Sequence, residues 1–152
     1  MSKLKETMEI KPKIGFNNIK YGMYRKDIIA ILGKPDRIVT DENDEFEQRL
    51  EWNELKIRLT FQLDDNDRFT YLTSKNNETE FKGERIIGMN INDAKNKLFA
   101  ELITEWEVED YQFFETHFNE DLWLTLRSEF GKVLEFEMGV PFKNENEYNW
   151  PE

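Results

Sequence analysis

The chain of 152 residues contains no cysteine. It therefore forms no disulfide, offers no thiol nucleophile and builds no thiolate metal or iron–sulfur site. It has one histidine, His117, which excludes a His-rich metal centre and a pair of catalytic histidines. Cationic side chains are in deficit, 21 Lys and Arg against 32 Asp and Glu, for a formal charge of −11. That balance argues against nucleic acid and anionic membrane as primary ligands. Long apolar runs are missing too. The start, Met1 to Met8, lacks the apolar stretch of a secretory signal, and nothing approaches the ~18 apolar residues of a spanning helix. The expected location is cytoplasmic, which agrees with the absence of cysteine. There is no Gly-rich phosphate loop and no Gly-x-Ser-x-Gly nucleophile turn. No cofactor and no metal are expected, and the chain reads as a non-enzyme.

Aromatics are plentiful, with 12 Phe, 5 Tyr and 4 Trp. They supply a core, so a charged fraction of 35% does not signal disorder. The length suits one domain, 1–152.

The chain resembles itself at a spacing of 66. Gly22, Met23, Asp27 and Leu32 fall on Gly88, Met89, Asp93 and Leu98. Two repeats are expected, about 14–75 and 84–140, with a polar linker 76–83 and a tail 141–152 that reads as loose unless Tyr148 and Trp150 pin it down. Each opens with a short helix. Asn90 is a good N-cap and Tyr24 a poor one, which leaves Asp27 to serve the first helix end. Ile28, Ile31 and Leu32 share one face, as do Ile91, Ala94, Leu98 and Leu102. Gly33 and Pro35 stop the first helix. In the second copy Phe99-Ala100-Glu101 stands there instead, so the second helix is expected to run on toward Ile103.

Strands follow. Leu55, Ile57, Leu59, Phe61 and Leu63 alternate with polar residues, and Asp64–Asp67 turns the chain into a return strand from Phe69. Leu122, Leu124 and Leu126, a turn at Ser128–Gly131, then Leu134, Phe136 and Met138 repeat the pattern. Their opposite face carries Trp123, Thr125, Arg127, Val133, Glu135 and Glu137. Trp123 on that face either packs under a loop or is exposed for a partner. Trp52 and Phe118, just before the hairpins, read as core. The fold expected is α+β: helices packed on antiparallel hairpins, tandemly repeated to form one curved sheet.

Charge is uneven. Residues 41–54 hold seven acids against Arg49 alone, and residues 101–121 hold eight acids and no Lys or Arg. Each is either a solvated surface or a docking face for a basic partner. The Asp64–Asp67 cluster lacks the alternating ligands, Gly and distal Glu of a calcium loop. His117, amid carboxylates, reads as a hydrogen-bonding surface group before a general base or a ligand.

The order Tyr21-Gly22-Met23, Asp27-Ile28, Leu32-Gly33-Lys34-Pro35, Trp52, then an alternating hairpin resembles the repeat shared by the small outer-membrane-assembly lipoproteins and the β-lactamase-inhibitor protein. The resemblance covers about 19–72 well and 85–138 less well. It implies a tandem helix-on-sheet unit that binds a protein across a concave sheet, and it transfers no interface residue. Together these readings predict an immunity protein that occludes the active site of a basic antibacterial toxin, with a nuclease as one candidate class. Asp41, Glu42, Asp44, Glu45, Glu107, Glu109 and Asp110 would steer the partner, and Tyr111, Phe114 and Trp123 would anchor it. The alternative is a non-catalytic scaffold that dimerises through an open sheet edge.

Overall fold

The computed structural model describes residues 7–151. Residues 1–6, part of the start that reads as lacking a signal, and Glu152 lie outside the described residues. In chain order the elements are β1 (Met8–Lys11), β2 (Gly15–Phe16), β3 (Ile19–Lys20), α1 (Arg25–Leu32), β4 (Arg37–Thr40), β5 (Glu47–Trp52), β6 (Ile57–Gln62), β7 (Arg68–Ser74), β8 (Thr79–Phe81) and β9 (Glu84–Arg85). Then come α2 (Ile91–Asp93), which continues as a π-helical turn (Ala94–Leu98), β10 (Glu107–Asp110), β11 (Glu115–Asn119), β12 (Leu124–Glu129) and β13 (Lys132–Gly139). The chain is mostly β, 43% strand against 13% helical, so the helices are a smaller part than the α+β expectation gave them.

Eight strands form one antiparallel sheet in the order β10-β11-β12-β13-β7-β6-β5-β4. A smaller sheet, β3-β2-β1-β8-β9, joins β1 to β8 in parallel. The segment 76–83 is thus more than a linker. Thr79 is fully buried in β8, and the Asn76 amide donates to the Leu55 carbonyl at 2.8 Å.

Period two decides what is inside. Cross-strand register aligns His117, Leu126, Phe136, Ser74, Ile57 and Trp52 in one buried row. Beside it run Leu124, Met138, Leu72, Leu59 and Leu50, each 0% exposed. Ile28 of α1 and Ile91, Ala94 and Leu98 of the second helix belong to the same core. Trp52 is core as expected and its indole N–H donates to the Gly33 carbonyl at 3.0 Å, which ties α1 to the sheet.

Two bulges break the alternation. Thr60 pairs with Tyr71 but Phe61 with Phe69, which leaves Thr70 unmatched. Arg127 pairs with Glu135 but Ser128 with Val133, which leaves Leu134 unmatched. Leu134, expected inside, is therefore 36% exposed, while Val133, expected outside, is 1% exposed.

Helix ends follow local chemistry. The Asn90 side chain accepts from the backbone N–H of Asn92 and Asp93, and Tyr24 makes no side-chain cap. The second helix stops at Leu98, short of Ile103. The Phe99 N–H bonds the Ala94 carbonyl, five residues back, and this widened turn carries Phe99 and Ile103 into the core. Leu102, expected to be buried, is 48% exposed for the same reason. Gly22 (φ 94°) and Gly88 (φ 91°) sit in left-handed turns before the two helices.

Phe69 is 0% exposed and its ring meets those of Phe16, Tyr21 and Phe61 at 6.4, 4.9 and 6.0 Å. Phe69→Ala is expected to cost about 3–5 kcal/mol. Asn90→Ala is expected to cost about 1 kcal/mol through the lost cap. Urea unfolding of both variants checks the ranking, and equal losses would contradict this account of the core.

Candidate functional site

Because strands alternate faces, the rows between the buried ones point away from the core. One such row crosses all eight strands: Glu107, Phe118, Thr125, Glu137, Thr73, Arg58, Glu51 and Arg37. The next brings Tyr71, Thr60, Arg49 and Val39 side by side. Most of these side chains remain partly accessible. The open face of the sheet is thus a ruled surface of charged, hydroxyl and aromatic groups.

Its centre is a cleft of about 430 Å³ between β5, β6, β7, β13 and the segment after β13. Glu137 lines it and accepts a hydrogen bond from the Tyr71 hydroxyl at 2.8 Å. Glu135, two residues back on the same face, is 4% exposed and lies 3.7 Å from both Arg58 and Lys75. Burial first, and then the charge of Glu135, push the Glu137 carboxyl above its ordinary value, against the Tyr71 bond that lowers it. Burial likewise pushes the Tyr71 phenol up, and the Glu137 charge adds to this. The Arg49 guanidinium in the wall is held by Asp41 at 3.1 Å and Glu47 at 3.3 Å.

Rings close one side. Trp123 stands edge-on to Phe118 (5.3 Å) and Phe142 (5.4 Å), Phe142 stacks on Tyr148 (4.8 Å), and Tyr148 meets Trp150 (5.0 Å). The Arg68 guanidinium lies 4.3 Å from the Trp150 ring centre and donates to the Gly22 carbonyl. The segment 141–151 has irregular backbone, and this ladder docks it through Tyr148 and Trp150, the pinned alternative rather than the loose one. Gly139 permits the packing. A Cβ there would come within 2.6 Å of the Trp123 and Tyr71 rings. Trp123 itself has φ 51°, a left-handed turn residue, and is half-buried. The sequence shows a ring on the polar face but not the tail that covers it.

The other expected residues divide between the two ends of the sheet. Asp41, Glu42, Asp44 and Glu45 connect β4 to β5. Glu107, Glu109 and Asp110 belong to β10, at the far edge. Register separates them by seven strand spacings, so they form no single patch. Several also build turns. Asp41 accepts from the Asn43 N–H, Asp44 from the Phe46 N–H and Asp110 from the Gln112 N–H. That bond and the Arg49 contact hold the Asp41 carboxyl below the usual range. Glu42 and Glu45 are exposed. Tyr111 stacks on Phe114 at 4.8 Å, and Arg127 lies 4.0 Å over the Phe114 ring. Phe118 is half-buried and lies on the open face rather than in the core. The sequence reading missed Glu137, Tyr71, Phe142 and Tyr148 as neighbours, because the β7–β13 pairing and the docked tail bring them together.

His117 is buried in β11, not on the surface. The Lys95 ammonium, 3.0 Å from Nδ1, can only donate, so Nε2 carries the ring proton toward Ser128 Oγ at 3.0 Å. Glu115 lies 3.6 Å away. Burial, then the Lys95 charge, hold the imidazole below its ordinary value, against Glu115. Among the described residues no three acids or histidines are grouped as metal ligands.

A lowered His117 value means that below about 6.5 the unfolded chain binds the extra proton, so stability falls as pH drops through that range. The thermal midpoint of the wild type is expected to fall more steeply between about pH 7 and 5.5 than that of His117→Gln. Parallel curves would refute the buried neutral imidazole. No family model matches this chain, and searches of the curated proteins and of the solved structures find no match.

Proposed function

We propose that this chain is a non-catalytic binding protein that docks a basic protein partner on the open face of its eight-stranded sheet. The finer reading is an immunity protein, held in the cytoplasm, that neutralises an antibacterial toxin, with a nuclease as one candidate class, by covering its active site. The observation that carries it is the open face itself: an accessible sheet surface on which charged rows flank aromatic rings. Such a mixture suits recognition by anchors inside a polar rim. The charge of −11 favours a partner of opposite sign and a fast encounter.

The tandem unit seen in the sequence belongs to this reading, as do one curved sheet and the likeness to the inhibitor-protein repeat. Each helix is preceded by a Gly-Met pair that bridges to a return strand. The Gly22 N–H bonds the Phe69 carbonyl and the Phe69 N–H bonds that of Met23. Gly88, Val133 and Met89 do the same. Each helix is followed by a four-stranded meander with a bulge in its last hairpin. These correspondences support a duplicated unit.

A second reading, a homodimer joined at a sheet edge, is favoured by β4. That strand is at the edge of the sheet and exposes Ile38 by 53%. The β10 edge carries Glu107, Glu109 and Asp110, which discourage pairing there.

The test is to co-express the chain with the product of the adjacent reading frame and measure association. A toxic product should be relieved and bound, with an on-rate that falls about tenfold or more between low and high salt. An adjacent product that is neither bound nor relieved would remove the proposal's support. A salt-insensitive self-association instead would favour the edge dimer.

A further inference from the structure

We infer that the cleft beside Glu137 is a seat for a guanidinium group, an arginine side chain presented by the partner. This inference deepens the docking reading above and rests on it. It starts from an imbalance. Among the described residues, the other charges that line the cleft have ion-pair partners: Arg49 and Glu47 pair with each other, Arg49 also with Asp41, and Arg58 with the buried Glu135 beside the cleft. Glu137, among the described residues, makes no ion pair within 4.0 Å: it accepts from the Tyr71 hydroxyl, shares a hydrogen bond with Glu135 and feels the Arg58 charge only from farther away. A half-buried carboxylate beside a second carboxylate is costly to leave without a counter-charge. The room for one is present, in a cleft within the size range of small-ligand sites, about 300–1,000 Å³.

The walls select the kind of cation. Trp123, Phe142 and Tyr148 offer ring faces and edges along one side. A planar guanidinium can stack on a ring while its paired N–H groups reach a carboxylate in a fork, which an ammonium cannot do. The surroundings add the right sign. Asp44, Asp64, Asp65 and Glu47 lie close enough to Tyr148 to push its phenol up, after burial. A cation entering beside Tyr148 therefore passes near these acids.

The test uses the full chain and two probes, N-acetyl-arginine methylamide and its uncharged isostere, N-acetyl-citrulline methylamide. The readout is the indole N–H resonance of Trp123, assigned by its loss in Trp123→Phe. The arginine derivative should shift that resonance saturably, and the citrulline derivative should not. Glu137→Gln keeps an acceptor for Tyr71 and should weaken the arginine derivative at least tenfold. Glu84→Gln, exposed in β9 of the smaller sheet, should change it less than twofold. Equal shifts by both probes, or unchanged binding in Glu137→Gln, would overturn the inference. The two readings fail separately. A partner captured with a salt-sensitive on-rate, beside no arginine response, sinks the cleft alone. An arginine response from a chain whose partner docks elsewhere sinks the docking reading and leaves the cleft standing.

Discussion

The pairing of β7 with β13 is the constraint on which the rest depends. Four register pairs, Phe136 with Ser74, Glu137 with Thr73, Met138 with Leu72 and Gly139 with Tyr71, join two meanders into one sheet. The strands involved lie 58 or more residues apart in the chain, so closing this ladder costs loop entropy that local hairpins do not meet. The return is that each row of the sheet becomes continuous. On the inner face, Met138 meets Leu72 and extends the core. On the outer face, Glu137 comes beside Thr73 and Tyr71. A slip of one residue at this seam would turn every one of these side chains over.

What was legible in the sequence is what local periodicity controls. The hairpins at 57–74 and 124–139, the N-cap at Asn90 and the glycines before the helices all follow from short-range rules, and the structure has them. Two kinds of error arose. A bulge inserts a residue without any strong sequence mark, and it reversed Leu134 and Val133. A widened helical turn changed which of Leu102, Phe99 and Ile103 faces inward. The site was less legible for a different reason. Glu137, Tyr71 and Tyr148 are far apart in sequence, and only sheet register and the docked tail unite them. The acid runs, which stand out in composition, turned out to contribute partly to turn geometry, through Asp41, Asp44 and Asp110.

The aromatic ladder explains how a segment with almost no regular structure keeps its place. From Phe118 through Trp123, Phe142 and Tyr148 to Trp150, each ring contacts the next, and Arg68 clamps the last ring to the turn at Gly22. Offset and edge-on pairs contribute about 0.5–1.5 kcal/mol each beyond their buried area. The ladder also shapes the cleft, since three of its rings form one wall. Stability of the tail and geometry of the candidate site are therefore one set of contacts, and a change at Gly139 would disturb both.

The two acid runs then play unequal parts. Seven strand spacings of about 4.8 Å put β4 and β10 roughly 34 Å apart along the sheet. Charges this far apart are separated by about four Debye lengths at physiological salt, near 8 Å, so they do not act as one field. A standard interface of about 800 Å² per partner is roughly 28 Å across. It can cover one end of the sheet and the cleft, but not both ends. The β4–β5 acids adjoin the cleft through Arg49 and Tyr148, whereas the β10 acids adjoin a separate pair of rings, Tyr111 and Phe114. A partner seated at the cleft, as proposed above, would draw its steering from Asp41 and Asp44. The acids of β10 lie on an edge strand, a position where charged side chains disfavour pairing with another strand.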